Sequence, residues 1–390
     1  MPHRPIVILD TDRLPSGPWI YARQLRRPEQ DIPPGEIVEV VDWENRFIGH
    51  GLFNDASDIR VRMIARGKRS DLDRPKDFLL RKIAAADRLR RKILRLEDQT
   101  DAWRLAHAEG DDLPGLIIDK LGPALVCEYH SRGFWKLRRE VEWALGELHP
   151  GLPIVHRVPK AARRSEGFEP EEEPESIGEV ILNECGLRYS IEPGIGHKTG
   201  WFCDQRENRQ RVASFAKDRD VLDLCCNTGG FALAAARAGA RGVTAIDLDE
   251  VVLEKAVAAA QLNGLDIEFR HEDAFHTLRS ALGYRRRPQL VILDPSKFVR
   301  GRADFEAGRL RYLDLNALAI QATAAGGILA TFSCSGAVDL SAFMGILFQA
   351  ARRAGRSIKL LEVLGAGPDH PQRPEFSRSR YLKGALLAVD

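Results

Sequence analysis

From about residue 210 onward, this chain of 390 residues alternates short apolar runs with helix-patterned stretches, and no other feature limits its fold as strongly. Runs at 221–224, 242–247, 267–271, 289–293 and 328–332 read as strands. Apolar residues recur at helical spacing in most of the gaps, at 230–238, 250–263, 310–325 and 340–355. Two last strands, 359–364 and 382–389, follow without such a helix between them. A helix between strands carries the chain back across a sheet, so the strands it joins run parallel. The predicted fold is α/β and Rossmann-like, a mostly parallel, doubly wound sheet closed by a terminal antiparallel hairpin.

Ligands of such sheets bind beyond the carboxyl ends of the strands, where the strand order reverses. Three carboxylates fall at such ends. Asp223 opens Asp223-Leu224-Cys225-Cys226-Asn227-Thr228-Gly229-Gly230-Phe231, which turns from the first strand into the first helix. The helix N-terminus offers free N–H groups there, Gly229 and Gly230 supply the close approach in a turn shared with Asn227 and Thr228, and Asp223 favours a ligand with an ammonium group. Asp247 can accept hydrogen bonds from two ribose hydroxyls, and Asp273 can read an adenine amino group. The GxGxxG of a dinucleotide fold is absent, which disfavours a pyrophosphate ligand and a nicotinamide oxidoreductase. A nucleoside carrying an amino acid and a sulfonium, S-adenosylmethionine, fits all three carboxylates.

Two further loops face the same edge, Asp294-Pro295-Ser296-Lys297-Phe298 and Thr331-Phe332-Ser333-Cys334-Ser335-Gly336. Free cysteines of reduced proteins are mostly inert and buried, and Cys127 and Cys225 are expected to be so. Cys334 instead follows an apolar strand among serines, in a loop expected to be accessible, where hydroxyls and backbone N–H groups can stabilise a thiolate. Methylation of an exocyclic amine or a ring nitrogen needs no such thiolate. Carbon 5 of a pyrimidine does, because addition of sulfur at carbon 6 makes carbon 5 nucleophilic. Asp294 is then placed to supply an acid near ring N3. The base that removes the carbon 5 proton is not assigned. Lys297 reads equally as a solvated cation, and Phe298 either stacks on a base or packs.

The N-terminal part differs. Short strands at 6–9, 36–41, 47–53 and 59–64 make a small all-β module, and a helix is expected over 77–96. Strands at 102–108, 116–119 and 124–129 with a helix near 134–148 suggest a central α+β region. The formal net charge of +2 hides local asymmetry, with 14 Lys/Arg against 4 Asp/Glu from Arg60 to Arg95 and 7 Glu without a base from Glu166 to Glu179. The basic stretch suits a polyanion and equally a solvated helix face. The acidic stretch reads as a linker that cannot bury itself. Six cysteines without CxxC or metal-ligand spacing point to reduced thiols and no metal. No apolar run of about 18 residues and no signal-peptide core is present, so a cytoplasmic protein that avoids membranes is expected.

Together these residues resemble the class I methyltransferases that form 5-methylcytosine in large-subunit (23S) ribosomal RNA and carry an N-terminal PUA domain. Gly17-Pro18-Trp19-Ile20-Tyr21 and Ile59-Arg60-Val61-Arg62 look like the opening and closing of that PUA module, and the run from Ala108 to Asp119 like the central-domain signature. The segment from His197 to Arg209 resembles the one leading into the catalytic domain, which implies that Phe202, Asp204, Gln205 and Arg206 line the cofactor pocket. The resemblance implies a PUA-like RNA-binding domain over 1–70, a central α+β domain over 71–180 with an acidic linker near 166–176, and a methyltransferase domain over 181–390. By it Cys334 is the nucleophile, Asp294 the acid, and Asp247 and Asp273 hold ribose and adenine. The implied partner is ribosomal RNA of the large subunit, and a homodimer is allowed. The family's Asp-Pro-Pro-Lys-Phe carries Ser296 here as its third residue, which loosens a loop that two prolines would fix. In the cofactor turn, Cys225-Cys226-Asn227 replaces a frequent Phe-Ser-Tyr and removes an aromatic. A uracil-5 or other RNA methyltransferase, or a non-catalytic RNA-binding assembly factor, stays open.

Overall fold

The computed structural model describes residues 4–11, 15–171, 173, 175–196, 198–283, 286–299, 301 and 303–390. It divides into two compact units. The first comprises Met1–Leu182, Ile191–Cys203 and Pro368–Ser379, and the second Asn183–Ser190, Asp204–Gly367 and Arg380–Asp390.

In the first unit, β1 (Ile6–Ile8), β2 (Trp19–Ile20), β3 (Ile37–Val41), β4 (Phe47–Phe53) and β5 (Val61–Arg66) form a sheet in the order β1-β3-β4-β5-β2. Alternate residues Val38, Val40, Val61 and Met63 turn one face into an apolar core with Val7, Leu9 and Ile20. Two-residue β2 is too short to leave a periodic signal in the sequence. Helix α1 (Pro75–Arg88) leads to β6 (Ala102–His107), β7 (Leu116–Leu121), β8 (Ala124–Tyr129), α2 (Arg132–Lys136), α3 (Arg138–Leu148), β9 (Ile154–Arg157) and α4 (Lys160–Glu166). Strands β6 to β9 make a second sheet in sequence order, over a core that includes Trp103, Tyr129 and Phe134.

Three expectations for this unit are corrected. The helix predicted over 77–96 ends at Arg88 and widens into a turn over Leu89–Ile93, closed by Leu94 N–H donating to Leu89 O (2.8 Å). The basic stretch is not one exposed face, since Arg62 and Arg90 are buried; Arg90 donates through both terminal nitrogens to the Asp111 carboxylate, each at 2.7 Å. The acidic stretch does bury its first member. Glu166 accepts from Arg62 Nη2 (2.8 Å), Ser57 Oγ (2.8 Å), Asn54 Nδ2 (3.0 Å) and the Arg132 N–H (3.0 Å), while exposed Glu171 and Glu173 lie against Arg138 and Arg163. The run from Ala108 to Asp119 is tied into the same unit: Asp111 holds Arg90, and Asp119 takes Arg104 and the Thr199 hydroxyl.

A hairpin of β10 (Val180–Glu184) and β11 (Leu187–Ile191) precedes α5 (Arg206–Ala213). The series β12 (Asp220–Leu224), α6 (Gly230–Arg237), β13 (Gly242–Asp247), α7 (Glu250–Asn263), β14 (Glu268–His271), α8 (Ala274–Ala281), β15 (Leu290–Leu293), α9 (Phe305–Ala322), β16 (Gly327–Ser333), α10 (Leu340–Ala354), β17 (Ile358–Gly365) and β18 (Lys383–Val389) then builds a seven-stranded sheet. Its order is β14-β13-β12-β15-β16-β18-β17, with β12 to β16 parallel to one another and β18 antiparallel to both β16 and β17. The predicted α/β sheet with its antiparallel end is the observed one, and its last strand inserts between β16 and β17. Helices start and stop on local signals: the Asp249 and Asp339 side chains accept from the first turns of α7 and α10, and Gly264 and Gly355 end those helices at φ of +63° and +64°.

Candidate active site

The strand order reverses between β12 and β15, and register brings their ends level. Leu224 pairs with Ile246 on one side and with Leu293 on the other, and Leu293 pairs with Thr331. The loops that follow β12, β13, β15 and β16 therefore leave the sheet side by side. The turn after β12 is tight, with Cys225 at φ +60°, Asn227 at +49° and Gly229 at +78°. A side chain at Gly229 would strain that conformation and bring its Cβ to 2.8 Å from Leu233 Cδ1. This turn opens α6, a helix whose first N–H groups have no acceptor within the helix.

The predicted carboxylates converge here. Burial, followed by the charges of Asp247, Asp294, Asp223 and Asp273, raises the pKa of the Cys225 thiol, so all four acids lie near enough to act on one side chain. Cys225 is only half-buried, against the expectation of a buried residue, whereas Cys127 is fully buried and its thiol pushed up to about 12. Asp223 is wholly buried, and neither carboxyl oxygen meets a donor at hydrogen-bonding geometry. Burial and the neighbouring Asp294 and Asp247 charges hold it well above the usual carboxylate range, and the Ala232 N–H is the one donor near enough to oppose them. Asp247 is oriented by the Asn227 N–H (2.8 Å) and the Asp249 N–H (3.0 Å), each on a different oxygen. Asp273 caps α8 through Oδ1, which accepts the His276 N–H at 3.0 Å.

A buried acid without a donor suits a ligand that brings a positive charge, and an oriented carboxylate at the next strand suits paired hydroxyls. The donor set thus fits a nucleoside with an attached ammonium group. Among the described residues no cluster of three or more His, Cys, Asp or Glu could hold a metal, and no helix is long and apolar enough to cross a membrane.

At the other end, Gln205 Nε2 donates to Asp294 Oδ2 (2.8 Å) and its Oε1 accepts from Asn208 Nδ2 (2.5 Å). Gln205 therefore aims Asp294, a role its place in the sequence did not reveal. Asp204 accepts the Tyr381 hydroxyl (2.6 Å), and Arg206 is buried and pairs with Glu207 (2.9 Å). Phe202 belongs to the first unit, where the Lys198 ammonium lies 4.3 Å from its ring centre; His197 lies outside the described residues. Phe298 packs rather than stands free, 4.8 Å from the Tyr312 ring centre and 4.7 Å from the Arg311 guanidinium, while Ser296 and Lys297 are exposed.

Cys334 is partly buried, not openly accessible as its serine-rich setting suggests, because Ser333 and Ser335 on either side are fully buried. Their hydroxyls are committed elsewhere. Ser335 Oγ accepts the Val299 N–H (3.1 Å) and meets the Tyr312 hydroxyl (3.0 Å), and Ser333 Oγ accepts the Ser335 N–H (3.4 Å). The charge beside Cys334 is instead Lys383, which gives no signal in the sequence because a lysine opening a strand is unremarkable there.

Comparison with known proteins matches two families to the chain. A PUA-like domain family matches residues 16–66, and an S-adenosylmethionine-dependent methyltransferase family matches 159–384. The chain is 36% identical over 378 residues to ribosomal RNA large subunit methyltransferase I of Pseudoalteromonas atlantica, covering 95% of each chain. It is 35% identical to the protein of the same name from Aeromonas salmonicida, over 95% of this chain and 94% of that one. A provisionally assigned S-adenosylmethionine-dependent methyltransferase from Streptococcus mutans shares the fold with a TM-score of 0.82 at 19% identity, over 98% of this chain and all of that one.

Proposed function

The chain belongs to the S-adenosylmethionine-dependent methyltransferase family that includes the proteins named ribosomal RNA large subunit methyltransferase I, and from that premise we propose that it methylates carbon 5 of a cytosine in large-subunit ribosomal RNA through a covalent adduct of Cys334. In this reading Asp223 holds the amino group of the cofactor, Asp247 its ribose and Asp273 its adenine, with Asn227, Thr228 and Gly229 as the turn beneath it. When bound, S-adenosylmethionine supplies an electrophilic methyl group on a sulfonium.

The chain's own residues prepare the acceptor. The Cys334 thiolate forms a bond to carbon 6, and the electron pair of the 5,6 double bond becomes available at carbon 5. Asp294, held by Gln205 and protonated once the target base covers it, gives its proton to ring N3 as that bond forms. Once carbon 5 carries the methyl group it loses its proton to a base, the sulfur–carbon 6 bond breaks, and Asp294 takes back the N3 proton. A base inside a folded RNA cannot meet Cys334 while stacked, so the target is flipped out or single-stranded. The PUA-like module and exposed Lys68, Arg74, Lys76 and Arg81 give the first unit a phosphate-binding surface.

One observation carries the reading. Asp294 and Cys334 each directly follow the end of one of two adjacent parallel strands, β15 and β16, and Ser335 ties the two loops together through the Val299 N–H. Cys334→Ala is expected to abolish methyl transfer while calorimetry shows unchanged affinity for S-adenosylhomocysteine; retained transfer would sink the adduct. Mass spectrometry of ribosomal RNA from cells lacking the protein should show one missing 5-methylcytosine. An unaltered modification map would favour the assembly-factor reading.

A further inference from the structure

Lys383 opens β18 and is 4% exposed, an uncommon setting for an ammonium group. Its backbone pairs with Ser333, the residue before Cys334, and its Nζ donates to the carbonyl of Ser335, the residue after, at 2.6 Å. A second bond goes to Tyr381 O at 2.9 Å. Two of three ammonium donors are thus fixed by backbone carbonyls around the cysteine loop. Two carbonyls alone are a poor reason to bury a cation, since a neutral donor serves them without the desolvation. The charged groups acting on Lys383 are Cys334 and Asp339, which favour its cation, and Lys297, which opposes it; burial outweighs them and brings it down to about 8. The cation therefore persists through neutral pH.

We propose that Lys383 is a positioning residue that holds the Cys334 sulfur as a thiolate, its buried ammonium standing as counter-charge over the cysteine loop. The proposal rests on the reading of Cys334 as nucleophile, and it answers what the committed serine hydroxyls leave open. Attraction between opposite charges favours both charged forms, so an ammonium fixed at the cysteine loop favours the thiolate form of the sulfur beside it.

The test follows alkylation of Cys334 by iodoacetamide against pH, read on its own peptide by mass spectrometry in the whole folded protein. Lys383→Gln keeps a donor without charge, Lys383→Met removes both, and Lys383→Arg keeps the charge. The pH midpoint is expected to rise by about one unit or more in the Gln and Met variants, with roughly tenfold slower alkylation at pH 7, and to stay near wild type in the Arg variant. An unchanged midpoint in a folded Gln variant would overturn the proposal. So would a wild-type midpoint at or above that of the same cysteine in denatured protein, a measurement that needs no variant. Cys334→Ala with full activity would remove the nucleophile reading while leaving the alkylation result to judge Lys383 alone.

Discussion

Glu166 in the first unit and Asp223 in the second are both buried carboxyl groups, and they are wired in opposite ways. Glu166 is 1% exposed and takes four donors, from Arg62, Ser57, Asn54 and the Arg132 backbone. Burial raises its affinity for protons, but the Arg62 charge and these hydrogen bonds more than offset that, so it lies below its ordinary range. Asp223 is 0% exposed, has no donor at bonding geometry, and is pushed well above its range by burial and by Asp294 and Asp247. A satisfied buried acid is scaffold. An unsatisfied one, at a strand end beside other acids, suits a charge that arrives from outside.

The sharpest way to break that contrast is to neutralise both. Glu166→Gln strands Arg62 and is expected to lower stability by about 3 kcal/mol in urea unfolding, with cofactor affinity of the folded fraction unchanged. No loss of stability would mean that the four donors are incidental. Asp223→Asn should weaken S-adenosylhomocysteine by roughly ten- to a hundredfold in calorimetry, the worth of a charged hydrogen bond, yet leave the ligand-free protein melting no lower than wild type.

The same two residues differ in sign with pH. Glu166, lowered on folding, adds stability above the usual carboxylate range and loses it as pH falls through its folded value. Asp223, raised on folding, keeps a proton that the unfolded chain has lost, so ligand-free stability declines as pH rises from near 4 through its folded value. Comparing Asp223→Asn with wild type across that window should show a difference that grows with pH. The smallest effect concerns Gln205, which aims Asp294 rather than the cofactor. Gln205→Ala is expected to lower kcat by about tenfold with S-adenosylhomocysteine affinity within about twofold of wild type. A large loss of affinity with little change in kcat would move Gln205 to the cofactor end.

Much of the second unit was legible because its signals are periodic and local. The strand before Asp223, the turn through Gly229 and the helix after it follow from apolar spacing and turn chemistry. Helix α8, eight residues long, and the hairpin of β10 and β11 escaped because their patterns are too short or too polar to stand out. Burial of Glu166 leaves no local signal because it depends on Arg62 and Asn54, more than a hundred residues away in the chain. Cys334 was placed at the right edge, but its surroundings were not. The serines beside it suggested exposure, and the structure buries both and turns the Ser335 hydroxyl toward Val299 and Tyr312 instead.

The sequence by itself determined the α/β sheet, the strand ends that carry Asp223, Asp247, Asp294 and Cys334, and the helix caps, because those depend on residues within a few positions of one another. Tertiary structure decided which charges are answered. Asp223 is left without a donor, Gln205 reaches across to Asp294, and Lys383 lies over the cysteine loop because β18 inserts beside β16 in antiparallel register. Pairing between strands fifty residues apart is set by packing of the whole sheet, and no local pattern encodes it.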